Sequence, residues 1–221
     1  MRLRSPLLPA ILLLTATLAF GADQGLSDLL DRSGFDAETA SEVRELVSEA
    51  SSAGVPEELL LPRLQEGIAK RVPPRRIVRA LEDDLATLLS ARSVLRGVEG
   101  GNRILDETAR WARAANFLAA GRSEEELRRV AAASASRPES FRQATVLYVS
   151  LLDWGLETAS VVEIVEAAVD SNLKPEEFSG IPELFALARR QRVRPERMVG
   201  RLVAALPRAD SLRELRSMII E

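Results

Sequence analysis

Beyond residue 25, apolar side chains recur every three or four positions, and no stretch alternates apolar with polar over the length of a strand. Ile77, Leu81, Leu85 and Leu88 form one such stripe; Ile104, Thr108, Trp111, Ala115 and Leu118 form another. A period of 3.6 buries one face of a helix and cannot bury one face of a strand, so the chain reads as all-α. The spacing predicts about ten helices, near 26–32, 36–52, 56–70, 74–96, 103–120, 123–135, 139–154, 157–171, 181–191 and 195–206, with a last one near 210–220. Pro56 and Pro195 suit a first helical turn, where a missing N–H costs nothing. Ser123-Glu124-Glu125-Glu126 fits a capping box. Gly34, Gly54, Gly97, Gly121 and Gly155 mark stops. Pro62 lies one turn inside its expected helix and should kink it or delay its start. Val146 to Trp154 is apolar on nearly every side and is expected to be the most buried helix. Gly97 to Asn102 looks like the most flexible connection.

The chain also repeats itself. Glu38-Thr39-Ala40-Ser41 recurs as Glu157-Thr158-Ala159-Ser160, and Val43 matches Val162. Pro56-Glu57-Glu58-Leu59 matches Pro175-Glu176-Glu177-Phe178; Pro62 and Leu64 match Pro182 and Leu184. Arg71-Val72, Pro74, Arg76, Val78 and Leu81 match Arg192-Val193, Pro195, Arg197, Val199 and Leu202. Caps and apolar positions keep their order. Short loops between helices make antiparallel neighbours that stack on one another. The expected architecture is therefore stacked antiparallel helical hairpins, with two duplicated modules near 34–90 and 154–206 flanking a central helical segment. Gly54-Val55-Pro56, followed by Leu64 to Pro74 and Ile77, resembles segments of exported bacterial α-helical proteins of no known activity. That resemblance covers about a quarter of the chain and implies export and helicity.

Export is also written at the N-terminus. Met1-Arg2-Leu3-Arg4 is positive, Leu7 to Phe20 carries no charge, and Ala19-Phe20-Gly21 places small residues three and one before a cut ahead of Ala22. This is the layout of a secretory signal peptide. The apolar run is shorter than the ~20 residues that span a bilayer. Residues 1–21 are thus read as the signal and 22–221 as a single helical domain, delivered to the periplasm or the extracellular space.

The chain has no Cys and no His, which removes thiol nucleophiles, disulfides, imidazole acid–base catalysis and the commonest metal ligands. Gly97 to Asn102 lacks the Lys-Ser/Thr and preceding strand of a phosphate loop, and the acidic triplets lack the alternation of a calcium loop. No cofactor or metal is expected. One enzymatic reading survives: Glu82-Asp83-Asp84 and Glu124-Glu125-Glu126 supply carboxylates, and a carboxylate pair can cleave cell-wall glycan. Trp111 and Trp154, which could stack on a sugar, both fall where core residues are expected.

Charge is polarised along the chain. Residues 23–62 hold ten acidic and two basic side chains, a net of −8; residues 187–221 hold nine basic and four acidic, a net of +5. The second region contains Arg189, Arg190, Arg192, Arg194, Arg197 and Arg201, the candidate binding residues. Such a patch steers anionic partners. Nucleic acid fits poorly, because export separates the chain from it and no aromatics interleave the arginines. The leading expectation is a non-enzymatic exported scaffold that binds a protein partner through a groove between its helical modules. The alternatives are the carboxylate enzyme, and weak peripheral contact of the Arg-rich C-terminal module with anionic lipid or a surface polymer.

Overall fold

A computed structural model describes residues 25–220 of the protein, apart from the side chain of residue 220. The export signal expected over 1–21 lies outside the described residues. The fold is all-helical, 77% of it in helices, and no strand occurs among the described residues. In chain order the α-helices are α1 (Leu26–Ser33), α2 (Ala37–Ser52), α3 (Leu61–Ala69), α4 (Pro74–Arg96), α5 (Asn102–Leu105), α6 (Thr108–Ala119), α7 (Glu124–Ala133), α8 (Phe141–Asp153), α9 (Thr158–Val169), α10 (Ile181–Arg190), α11 (Pro195–Ala205) and α12 (Leu212–Ile220). Short 3₁₀ turns precede α3, α8 and α10, and another follows α11.

Two departures from the expected series of helices, one late start and one break, have identifiable reasons. Pro62 delays its helix: Glu57–Leu59 forms a 3₁₀ turn, and α3 begins at Leu61 with the proline in its first turn. The helix expected over 103–120 is broken at Glu107, whose backbone is extended at φ −120° and ψ 118°. Thr108 restarts it as α6, and the Arg110 guanidinium steadies the break by donating to the Arg103 carbonyl at 3.0 Å. The Ser123 capping box is present, with the Glu126 N–H donating to Ser123 Oγ and the Ser123 N–H donating to Glu126.

Stacking follows a simple order. Even-numbered helices pack in succession, α2 on α4, α4 on α6, α6 on α8, α8 on α10 and α10 on α12, while α7 meets α9 and α9 meets α11. Most added helices therefore cover the apolar stripe of the one two places before them, whereas α5 and α7 pack on α4. Buried side chains form one continuous cluster running from Leu30 to Ile219. Its largest members include Tyr148, Phe141 and Phe178, all fully buried. The Ile77, Leu81, Leu85 and Leu88 stripe is buried throughout.

One expectation needs correction. Helix α8 is not buried on all sides: Phe141, Ala144, Leu147, Tyr148 and Leu151 face the core, whereas Val146 is 39% and Trp154 41% exposed. Apolar composition overstated burial because Trp154 falls at the C-cap, past the last packed turn. Gly97 does end α4, as its C-cap, with φ −79° rather than a left-handed backbone. Within the largely exposed 97–102 connection Gly101 alone is buried, and a Cβ there would meet the Leu95 and Val98 carbonyl oxygens.

One carboxylate helps tie back the start of the last helix. Glu177 accepts the N–H of Leu212 at 3.0 Å and that of Lys174 at 3.1 Å. These backbone donors hold its pKa below the usual carboxylate range. A depressed folded-state pKa gives stability that is present above the unfolded pKa and lost as pH falls through the folded one. Glu177→Gln is therefore expected to lower the melting temperature at neutral pH and to flatten its decline towards acid. Thermal unfolding across a pH series measures both, and an unchanged acid limb would show that Glu177 does not anchor α12.

Candidate functional site

Two surface features stand out once the helices are in place. The first is a groove. Helices α3 and α6 both pack on α4, and the space between them is open. It forms a hollow of about 370 Å³ with Leu59, Pro62, Leu88 and Ala115 among its apolar lining. Ala112, Ala115 and Ala119 recur at i, i+3 and i+7, so α6 presents small side chains along this wall. Glu58, Glu66 and Asp84 contribute three acids against Arg63 alone, a net of −2.

The polar groups of the groove are fixed by one another. Arg63 Nε donates to Asp84 at 2.8 Å, tying α3 to α4, and Asp84 raises the Arg63 pKa further. Lys70 binds Glu66 and holds its carboxyl below the ordinary value. The Thr108 hydroxyl donates to Glu58 at 2.6 Å across 50 residues, joining the start of α6 to the turn before α3. The far side of the wall is anchored by Trp111, which is buried, donates Nε1–H to the Leu88 carbonyl at 3.0 Å and lies under the Arg92 guanidinium. Asn116 and Ala119 remain exposed at the groove.

The second feature is the turn between α10 and α11, where the candidate arginines lie. Arg189 and Arg190 occupy the last turn of α10, Arg192 the left-handed position after it, Arg194 the N-cap of α11 and Arg197 its first turn. All are exposed, and among the described residues none of these five joins an ion pair. Arg192, Arg194 and Arg197 line one open hollow of about 770 Å³ with Glu196. Arg201 is set apart, because its guanidinium donates to the Ile219 carbonyl at 3.1 Å and so ties α11 to α12.

The acidic triplets are dispersed. Asp84 belongs to Arg63, while Glu82 lines a separate hollow with Asp36, Glu38 and Glu42. Glu124 accepts from Ser90, Glu125 pairs with Arg128 and Arg129, and Glu126 caps α7. Glu126 also accepts from the Tyr148 hydroxyl at 3.3 Å, and burial with that carboxylate pushes the phenol pKa up to about 12. Among the described residues no three acidic side chains are placed to hold a metal ion. Trp154 is exposed, but Trp111 is committed to the core.

The groove was not visible in the sequence, because it depends on α3 and α6 meeting α4 at separate places. The alanine spacing along α6 is the one local signal that points to it. Comparison with protein-family models, curated proteins and solved structures finds no match for this chain.

Proposed function

We propose that the chain is an exported, non-enzymatic helical scaffold of the bacterial envelope that holds a helical segment of a protein partner in the groove between α3 and α6. The observation that carries this reading is the groove itself. It combines a wall of small side chains, an apolar floor and an acidic excess carried by Glu58, since Asp84 faces Arg63 and Glu66 faces Lys70. A helix lies in such a groove through an apolar face, and the charge selects a basic segment as occupant. The ordered matches between 34–90 and 154–206, which we take as an internal duplication, suit a scaffold assembled by adding helical units. The acidic triplets lend the glycan-cleaving alternative little, since Asp84 and Glu125 are in ion pairs, Glu124 accepts from the Ser90 hydroxyl, Glu126 serves as a cap and Glu82 lines a separate hollow.

Photo-cross-linking in the native envelope tests the reading. A benzophenone residue at Ala119, in the groove, is expected to give an adduct of discrete mass. The same residue at Glu163, exposed on α9, is expected to give none. Mass spectrometry should place the attachment in a basic, helix-forming peptide of the partner. Equal adducts from both positions, or attachment to an acidic peptide, would rule out the groove as the binding surface. Attachment to a second copy of this chain would replace the partner with self-association.

A further inference from the structure

Arg71 and Arg192 are the two non-glycine residues with positive φ among those described, at 54° and 59°. They occupy matched places. Each follows a helix that packs on the next, α3 before α4 and α10 before α11, and each is followed by Val and, two residues further on, by a proline that starts that helix. The hydrogen bonding is the same at both. The Arg71 N–H donates to Ile68 at 3.0 Å and the Val72 N–H to Gly67 at 2.9 Å; the Arg192 N–H donates to Arg189 at 3.1 Å and the Val193 N–H to Ala188 at 3.0 Å.

The backbone does not ask for arginine at these places. A left-handed residue after a helix is met most cheaply by glycine. This chain uses glycine at its four other helix ends of that kind, Gly34, Gly54, Gly121 and Gly155, with φ between 70° and 82°. Neither Arg71 nor Arg192 recovers the cost through a hydrogen bond or ion pair of its own side chain among the described residues. Strained positions of this sort mark functional sites when the surroundings hold them in place.

Charge gathers around both. Residues 70–79 hold five basic side chains and no acid; residues 189–201 hold six basic side chains and Glu196. The two turns differ in how much of that charge is free. At the first, Lys70 is tied to Glu66, and Arg75 and Arg79 line a hollow with Asp36, Glu38, Glu42 and Glu82. At the second, Arg192, Arg194 and Arg197 join no ion pair among the described residues, with Arg189 and Arg190 beside them.

We infer that the two arginine-capped turns are phosphate-binding tips, and that the second, through Arg192, Arg194 and Arg197, docks the protein on the phosphate headgroups of an anionic phospholipid surface. Guanidinium groups bind phosphate oxygens in a bidentate fork. An exposed turn carrying several of them suits an array of phosphates better than one enclosed ion. The first tip has the same chemistry and contributes less. This inference stands independently of the groove between α3 and α6.

Vesicle flotation of the purified protein decides it. Wild type is expected to float with mixed phosphatidylcholine–phosphatidylglycerol vesicles at low salt, to be released at high salt, and not to float with phosphatidylcholine alone. Taking about 1 kcal/mol for each basic residue at the membrane, R192G with R197A should lose on the order of 30-fold in affinity, and R71G about 5-fold or less. The control pair R208A with R213A removes the same charge outside the tips and should change affinity by less than about 3-fold. Because glycine suits the left-handed position, R192G and R71G should melt no lower than wild type, which excludes misfolding as the cause of any loss. Equal losses in the tip and control pairs would overturn the tips in favour of diffuse charge. Binding of soluble glycerol phosphate that depends on Arg192, with no vesicle binding, would overturn the lipid source. Vesicle binding that R192G with R197A leaves intact would overturn the site.

Discussion

Gly101→Ala is expected to destabilise the protein by about 3 kcal/mol, near the upper end for inserting an atom into a filled interior. The backbone at Gly101 is ordinary for any L-residue, at φ −63° and ψ −23°. Conformation alone would therefore favour alanine, which loses less entropy on folding. Space decides the other way. The added Cβ would fall well inside contact distance of the Leu95 carbonyl oxygen and 3.1 Å from that of Val98. Both obstacles are backbone atoms, which cannot swing aside as the end of a side chain can. At roughly 2–4 °C per kcal/mol for a chain of this size, the melting temperature should fall by about 10 °C. Circular dichroism on heating measures it. A fall of only a degree or two would show that the turn relaxes, and with it that the path from α4 into α6 is not fixed at Gly101.

Trp111→Ala should cost more, about 3–5 kcal/mol, as expected for emptying a buried aromatic site. Trp111 is 4% exposed and joins α6 to α4 through its Nε1–H and the Leu88 carbonyl. Its ring also supports Arg92, whose guanidinium packs so closely on Gly54 that a Cβ there would approach Nη2 to 2.9 Å. One side chain thus links α6, α4 and the end of α2. Trp111→Phe keeps most of the apolar contact and gives up the hydrogen bond, a loss of about 1 kcal/mol. Urea unfolding of both variants separates these contributions. Equal losses from Phe and Ala would mean that the hydrogen bond, rather than the packing, secures the wall of the groove.

Much of the fold was legible because its causes are local. The stripe of Ile77, Leu81, Leu85 and Leu88, the Ser123 cap and the delay imposed by Pro62 each act within a turn or two. What could not be read depends on distant partners. Nothing in the sequence marks the break at Glu107, which carries neither glycine nor proline and is set by the joint packing of α5 and α6 on α4. The exposure of Val146 and Trp154 reflects which side of α8 its neighbours cover, a property of the stack rather than of the helix. Of the surface features, the arginines of 189–201 were visible as a charge run. That Arg192 takes a left-handed backbone, and that Arg201 turns to the Ile219 carbonyl, required the turn and the last helix in place. The groove was hidden for the same reason: Glu58 and Thr108 stand 50 residues apart in the chain and 2.6 Å apart in the fold.

The scaffold reading is tested most directly by filling the groove without disturbing the core. Asn116 is exposed on α6 at the open face, so Asn116→Trp should leave stability within about 0.5 kcal/mol of wild type while occupying the space a partner helix would take. In the native envelope, the photo-cross-link from Ala119 should then disappear, and the melting temperature of the purified variant should stay where it was. A cross-link of undiminished yield in a variant that is folded and blocked would contradict the account.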